Sequence, residues 1–341
     1  MKVLVTGANG LLGVNLVREL LKSNHEVKAF VRHSANLKGL HDVPCQLIRG
    51  DISSFDDVQK ALKDCDAVIH AASTTSVLPL GYAFYEKINV DATKNVVQAV
   101  LSQGNKRMVH VSTAQAFGPG TRENPGTESS PFTLASYNSG YINSKYDAQL
   151  HVLKSVERQN LNGIVVNPTF MIGPYDIKPS SGKIILQGLK RGIQWCPNGG
   201  KNFVHVRDVA QGIQIALNTG AAGECYLLTG ENLTYREFFS ELNNIAHRKR
   251  IQIVPPKVII HTVGAAVEAW NNLTGQKNAF NKSNSQLINI ENYYSGEKAR
   301  VEFNLNPAPI KVAIQDAFEW FKKENYISDE NYSTHGTSFD L

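Results

Sequence analysis

Residues 2–22 read KVLVTGANGLLGVNLVRELLK. An apolar, strand-like run ends in a turn carrying Gly7, Gly10 and Gly13. A helical stripe of Leu12, Leu16 and Leu20 follows. Strand, glycine-rich turn and helix in this order form the phosphate-binding opening of a doubly wound α/β sheet. The glycines permit a tight turn and let the backbone come close to a pyrophosphate. The helix start at Leu11 and Leu12 supplies free N–H groups and the positive end of the dipole. The spacing is G-x-x-G-x-x-G, not the commoner G-x-G-x-x-G, so its position between strand and amphipathic helix carries the reading.

The strand–helix beat continues from there. Strand-like runs are KVLVTG, EVKAFVR (from Glu26), CQLIRGD (from Cys45), DAVIHAA (from Asp66), RMVHVST (from Arg107) and GIVVNPT (from Gly163). Helical patterns cover 11–22, 56–63, 90–101 and 137–159. Valine- and isoleucine-rich strands without strict alternation suit a parallel sheet covered on both faces. The beat breaks near Pro168, so we expect a Rossmann-type sheet domain over 1–167 and about 202–222. NFVHVRDVAQGIQIAL (from Asn202) would return to that sheet as strand and helix. Residues 168–201 and 223–327 form a smaller, mostly helical substrate lobe, and 328–341 a polar tail.

Composition excludes several classes. Of 341 residues, 42% are hydrophobic and 19% charged, which is ordinary for a globular protein. A net charge of +5 without long basic runs argues against nucleic acid as a partner. The densest cluster, HRKR (247–250), reads as a solvated helix end before IQIVP. Cys45, Cys65, Cys196 and Cys225 have no metal or CxxC spacing, so no metal site is expected and a reducing, cytoplasmic setting is. Met1 leads straight into the first strand pattern, so no leader peptide is expected. The longest apolar window, VIIHTVGAAVEAW (258–270), is shorter than the ~20 residues that cross a bilayer. It reads as a buried or interfacial helix, and no transmembrane segment is expected.

Cofactor preference is written at the second strand end. NAD-selective folds place an acid about 20 residues beyond the glycines, to bind the ribose hydroxyls. Here Arg32 stands there, and its guanidinium suits a 2′-phosphate. NADP(H) is therefore favoured over NAD(H). Asp51 either reaches the adenine edge or caps the next helix. The small residues of HAAS, Ala71, Ala72 and Ser73, let a cofactor lie close.

Tyr141 and Lys145 stand four apart in a helical pattern and so share a face. A nearby ammonium lowers a phenol's pKa, which makes Tyr a usable proton donor or acceptor. Ser112 and Thr113 end the preceding strand at the carboxyl edge, where a hydroxyl can bond the same substrate oxygen.

Taken together, TGANGLLG, GDI, HAAS, VST, YINSK, KINVDATKNVV, VNPTFMIGP, NFVHVRDVA and SGEKAR, in this order, resemble the extended short-chain dehydrogenase/reductases. The likeness reaches about Tyr326. It implies Thr113, Tyr141 and Lys145 as catalytic hydroxyl, general acid/base and lysine, with Lys145 also holding the nicotinamide ribose. It implies cofactor contacts at Gly7, Gly10, Gly13, Arg32, Asp51, Ile52, Ala71 and Pro168. Thr113 ranks above Ser112, lying five residues before Gly118. A homodimer through the helices flanking the sheet is also implied.

Two branches of that family compete. One resembles dihydroflavonol reductases, cinnamoyl-CoA reductases and 3β-hydroxysteroid dehydrogenases, and reduces a carbonyl or thioester with NADPH or runs in reverse. The other, the nucleotide-sugar epimerases and dehydratases, keeps a bound NAD. Arg32, Lys201-Asn202-Phe203 in place of Arg-Asp-Phe, and Asn167 in place of Arg favour the first. Phe170, Met171 and Tyr175 serve equally as lobe core or substrate lining. STTSVLPLGYAFYE, from Ser73, supplies a further pocket wall with an apolar bias. Gly118 stands where flavonoid enzymes carry a substrate-reading Asn, which disfavours a flavonoid. A non-catalytic NADP-binding relative is the third reading; such proteins usually lose the Tyr or the Lys.

Overall fold

The computed structural model describes residues 1–76, 78–190 and 192–327. The expected tail at 328–341 lies outside them. The chain runs β1 (Lys2–Thr6), α1 (Leu11–Lys22), β2 (Glu26–Val31), β3 (Gln46–Arg49), α2 (Phe55–Leu62), β4 (Ala67–His70), α3 (Tyr82–Tyr85), α4 (Ala92–Ser102), β5 (Arg107–Val111) and α5 (Gly140–Gln159). It continues through β6 (Gly163–Pro168), β7 (Phe170–Ile172), α6 (Lys183–Leu189), β8 (Gln194–Trp195), β9 (Gly200–His205), α7 (Val206–Thr219), β10 (Cys225–Leu228), β11 (Glu231–Thr234) and α8 (Tyr235–Ile245). The last elements are β12 (Gln252–Ile253), α9 (Lys257–Thr274), α10 (Lys282–Leu287), β13 (Glu291–Asn292), α11 (Glu297–Phe303) and α12 (Ile310–Lys323).

Seven parallel strands form the main sheet in the order β10-β6-β5-β4-β1-β2-β3. Alternation along β1 sends Val3 and Val5 to one face and Leu4 to the other. The first face packs against α1 and α7 through Leu16, Leu20, Val209 and Ile213, the second against α2 and α4 through Val58, Leu62, Val96 and Val100. This is the doubly wound fold expected. The order reverses between β1 and β4, which opens a crevice at their carboxyl ends.

Two strand assignments differ from expectation. The strand of NFVHVRDVA, β9, does not rejoin the main sheet. It pairs with β7, β11 and β13 in a separate four-stranded sheet, and only α7 returns to the large one. Phe203 stacks on Phe238 of the lobe at 4.4 Å, and Asn202 donates to Gly230 O and accepts from Gly230 N. Those partners exist only in the lobe. The seventh main strand is CYLL, beyond the expected lobe boundary at 223, where a short apolar run buries Tyr226, Leu227 and Leu228. The lobe holds α6, α8 and α12 around Phe238, Leu242, Ile314 and Phe321. Its helices also enclose the four-stranded sheet.

Candidate active site

The glycine turn is shaped by contact. Gly7 has φ +68°, and a Cβ there would meet Ala72 Cα at 2.8 Å. A Cβ on Gly13 would lie 2.2 Å from Gly7 O. The turn therefore sits flush against the end of β4, and Ala72 N donates to Thr6 Oγ1 at 3.1 Å. The start of α1 has no side-chain cap and no acid in its first turn, which leaves the first N–H groups for an anion. A pyrophosphate fits this cradle by shape and by donor chemistry.

Arg32 follows the last residue of β2, exposed and without a side-chain partner among the described residues. Its neighbour Arg49 is committed, donating to His33 O at 2.6 Å. Asp51 Oδ1 accepts from Ser53 N at 2.8 Å, shaping the turn into α2, while Ser54 caps that helix. Ile52 is buried against the second face of the sheet. Pro168 closes β6 beside Leu228.

The end of β5 gathers the reactive side chains. Ser139 caps α5 through Ile142 N, setting the helix so that Tyr141 and Lys145 face β5. Lys145 is 3% exposed and its Nζ donates to Val111 O at 2.7 Å. Tyr141 is half-buried, and the Thr113 side chain favours its ionised form. Thr113 is held in turn: Asn167 Nδ2 donates to Thr113 O at 2.9 Å and to Gln149 Oε1 at 2.7 Å. Ser112 Oγ is buried without a partner.

The electrostatics depart from the sequence reading. Loss of hydration pushes Lys145 down to about 7. The same loss raises Tyr141, and Thr113 is the group that works against the rise. Burial is the largest influence on the phenol, and Lys145, whose ammonium donates to Val111 O, adds no lowering of its own. Tyr141 thus stays protonated across the neutral range.

A polar chain that sequence reasoning missed links the cofactor turn to this helix. Thr6 Oγ1 lies 2.9 Å from His70 Nδ1, and His70 Nε2 lies 3.1 Å from Thr93 Oγ1. Thr93 uses its proton on Asn89 O at 2.6 Å, so Nε2–H is the donor to Thr93 and Nδ1 accepts from Thr6. Burial, with the Lys145 charge adding to it, drives His70 down to about 3, which holds this neutral form. Asn89 Oδ1 then accepts from Thr74 N, its Nδ2 donates to Ser144 Oγ, and Ser144 Oγ donates to Tyr141 O. The stretch KINVDATKNVV, within which Asn89 and Thr93 fall, was the available signal.

Of the substrate candidates, Ser73 opens the loop that walls a cavity of about 440 Å³. Leu78, Pro79, Leu80 and Tyr85 line one side, Asn271 and Gln276 the other, and Ser139 and Gly140, just before Tyr141, lie within it. Phe170, Met171 and Tyr175 do not line this cavity. Phe170 packs edge-on against Phe203, Met171 joins the sheet core, and Tyr175 sits between Arg18 and Trp320. A Cβ on Gly118 would meet Pro131 O at 2.5 Å, so no side chain can project there.

The chain has relatives of known family and fold. The model of the NAD dependent epimerase/dehydratase family matches residues 3–228. Sterol demethylase protein B of Methylococcus capsulatus is 27% identical over 332 residues, 96% of this chain and 100% of that protein. A 4-hydroxy-2-methyl-3-oxo-4-farnesyl-3,4-dihydroquinoline-1-oxide ketoreductase of Stigmatella aurantiaca is 30% identical over 246 residues, 71% of this chain and 72% of that one. The crystal structure of gox2253 superposes with a TM-score of 0.85 at 29% identity, over 96% of this chain and 99% of that chain.

Proposed function

We propose that this chain, which belongs to the NAD dependent epimerase/dehydratase family of extended short-chain dehydrogenase/reductases, is an NADP(H)-dependent oxidoreductase. It reduces a ketone or aldehyde of an apolar substrate, or oxidises the matching alcohol. The observation that carries the reading is the placing of Thr113 at the end of β5, and of Tyr141 with Lys145 one turn along the same face of α5, at the crevice edge. Gly7, Gly10, Leu11, Leu12, Ala71 and Ala72 would hold the dinucleotide, with Asp51, Ile52 and Pro168 beside it. Arg32, exposed and unpaired, is free to meet a 2′-phosphate.

The nicotinamide, when bound, supplies or accepts the hydride. The chain does the rest. Tyr141, held protonated by burial, gives its proton to the substrate oxygen. Thr113 steadies that oxygen, its backbone pinned by Asn167. Lys145 would hold the ribose. The cavity beside Ser139 and Gly140 has one apolar wall, Leu78 to Leu80 with Tyr85, in an otherwise mostly polar lining, and the names of the sterol and farnesyl relatives support an apolar body against that wall. A flavonoid is disfavoured, because Gly118 has no room for the Asn that would read it.

A second reading, a nucleotide-sugar epimerase or dehydratase with bound NAD, draws on the family's own description. Against it, Asn167 stands where such enzymes carry Arg, and its amide NH2 is committed to Thr113 O and Gln149 Oε1. The test is Tyr141→Phe assayed on a panel of apolar ketones and aldehydes with NADPH. Loss of one proton donor should lower kcat by about 100-fold or more, with KM little changed. Unchanged turnover in the variant would overturn the proposal, and NAD retained through purification would select the second reading.

A further inference from the structure

The helix α9 is inverted relative to an ordinary surface helix. At roughly 100° per residue, Val258, Ile259, Thr262, Val263, Ala265, Ala266, Ala269, Trp270 and Leu273 fall in one sector about 160° wide. All nine are exposed, among them Val258 at 73%, Trp270 at 57% and Leu273 at 83%. None is charged, and Thr262 turns its hydroxyl back to Val258 O, which leaves its methyl outward. The polar groups face inward instead: Glu268 accepts from Lys282 N, and Asn271 accepts from Asn278 Nδ2. A helix facing water normally shows the opposite pattern. The apolar surface continues into the strand that leads to the helix, where Ile251 and Val254 are exposed, and onto Trp195 of its partner strand.

Charge marks what covers this face. Residues 247–282 carry six Lys or Arg and one Glu, a net +5 that equals that of the whole chain. Lys249 and Lys257 flank one end of the stripe and Lys277 and Lys282 the other, all exposed. No helix among the described residues is long and apolar enough to cross a membrane. An apolar face with Trp, rimmed by lysines, matches a helix that lies in a lipid interface.

We propose that the outward face of α9 docks the protein onto an anionic lipid bilayer. The inner side of the same helix lines the cavity through Glu268, Asn271 and Asn272. Leu78, exposed at 39%, stands on the cavity's other wall. The docked helix thus borders the cavity that the preceding section assigns to an apolar substrate, though docking is tested without turnover.

The experiment is co-sedimentation of the full chain with vesicles of phosphatidylcholine alone, or with about a third phosphatidylglycerol. Binding to the mixed vesicles, reduced by salt, is expected. The double variant Val258→Glu/Leu273→Glu should lower partitioning at least tenfold with thermal stability and dinucleotide binding unchanged, and Lys249→Glu/Lys257→Glu should weaken binding to the anionic vesicles. Absence of wild-type binding to the mixed vesicles, or undiminished binding by Val258→Glu/Leu273→Glu, overturns the proposal. So does a wild-type dimer that this variant turns into a monomer without any vesicle binding, which would make a second copy the occupant.

Discussion

Replacing Lys145 by Met exposes the energetic burden of the proposed site. The lysine sits at about 7 in the fold against an ordinary 10.5. It is nearly fully buried, so water does not screen the difference. The sign is the reverse of a salt-bridged lysine. The fold disfavours the charged form, so the penalty is full below pH 7, shrinks as pH rises and is gone above 10.5. At pH 7 the shift of roughly three units corresponds to about 4 kcal/mol of destabilisation. Removing the ammonium also strips Val111 O of its donor, which costs about 1–3 kcal/mol. Lys145→Met should therefore be more stable than wild type at pH 7 by about 1–3 kcal/mol, while losing turnover. Between pH 7 and 9 the wild type should recover about 2 kcal/mol of that gap, because its unfolded state binds more protons. Urea denaturation of both proteins at 25 °C, at several pH values in that range, reads the gap directly. A gap that does not change with pH would refute the reasoning, since only the buried ammonium makes it titrate.

Arg32→Ala should weaken NADPH binding by about tenfold and leave NADH binding unchanged in calorimetry, as loss of one charged contact to a 2′-phosphate requires. Equal loss for both cofactors would place Arg32 elsewhere in the site. Gly13→Ala should lose dinucleotide binding and stability together, because its Cβ would stand 2.2 Å from Gly7 O; calorimetry and thermal unfolding check both. Asn167→Leu should cost about 1–3 kcal/mol, measured by denaturation, since it leaves the buried Gln149 Oε1 unpaired while Thr113 O keeps Ala116 N. It should also lower kcat more than it weakens cofactor binding. Acid should unfold the protein through His70: its neutral form is favoured in the fold, so that stability is present above the unfolded pKa of 6.5 and lost as pH falls toward about 3. By pH 4.5 the loss from this residue is about 3 kcal/mol, and a His70→Gln variant should show a correspondingly flatter acid limb.

The first six strands of the main sheet were legible because each carries an apolar run between turn residues; burial on both faces demands that of the inner strands, while the edge strand β3 stays largely exposed. The Tyr141–Lys145 pairing was legible because helical spacing alone brings them to one face. What failed was partner choice. The run in NFVHVRDVA looks like any sheet strand, and only Phe238 and Gly230, far along the chain, decide which sheet it joins. Lys145's state failed for a related reason. Four-residue spacing predicts nearness to Tyr141, but not that the ammonium would donate to Val111 O, nor that burial would outweigh the charge. Thr6, His70 and Asn89 are separated by up to 83 positions in sequence, and nothing local announces that their side chains meet.

The same contrast explains why the chemistry reads more clearly than the substrate. The cofactor side of the crevice is made of backbone: glycines without room for a Cβ and a helix start without a cap. Such features need particular residue types at fixed spacings, so they survive as a pattern in the sequence. The substrate side is made of a loop from Ser73 to Leu80 and the far end of α9, brought together only by the fold. There the requirement is apolar surface and volume, which many sequences meet. Phe170, Met171 and Tyr175 illustrate the consequence: apolar residues at the mouth of the lobe look like a pocket lining in one dimension, yet Phe203, the sheet core and Trp320 claim them in three. The substrate class is therefore better argued from the cavity and the inverted helix beside it than from any motif.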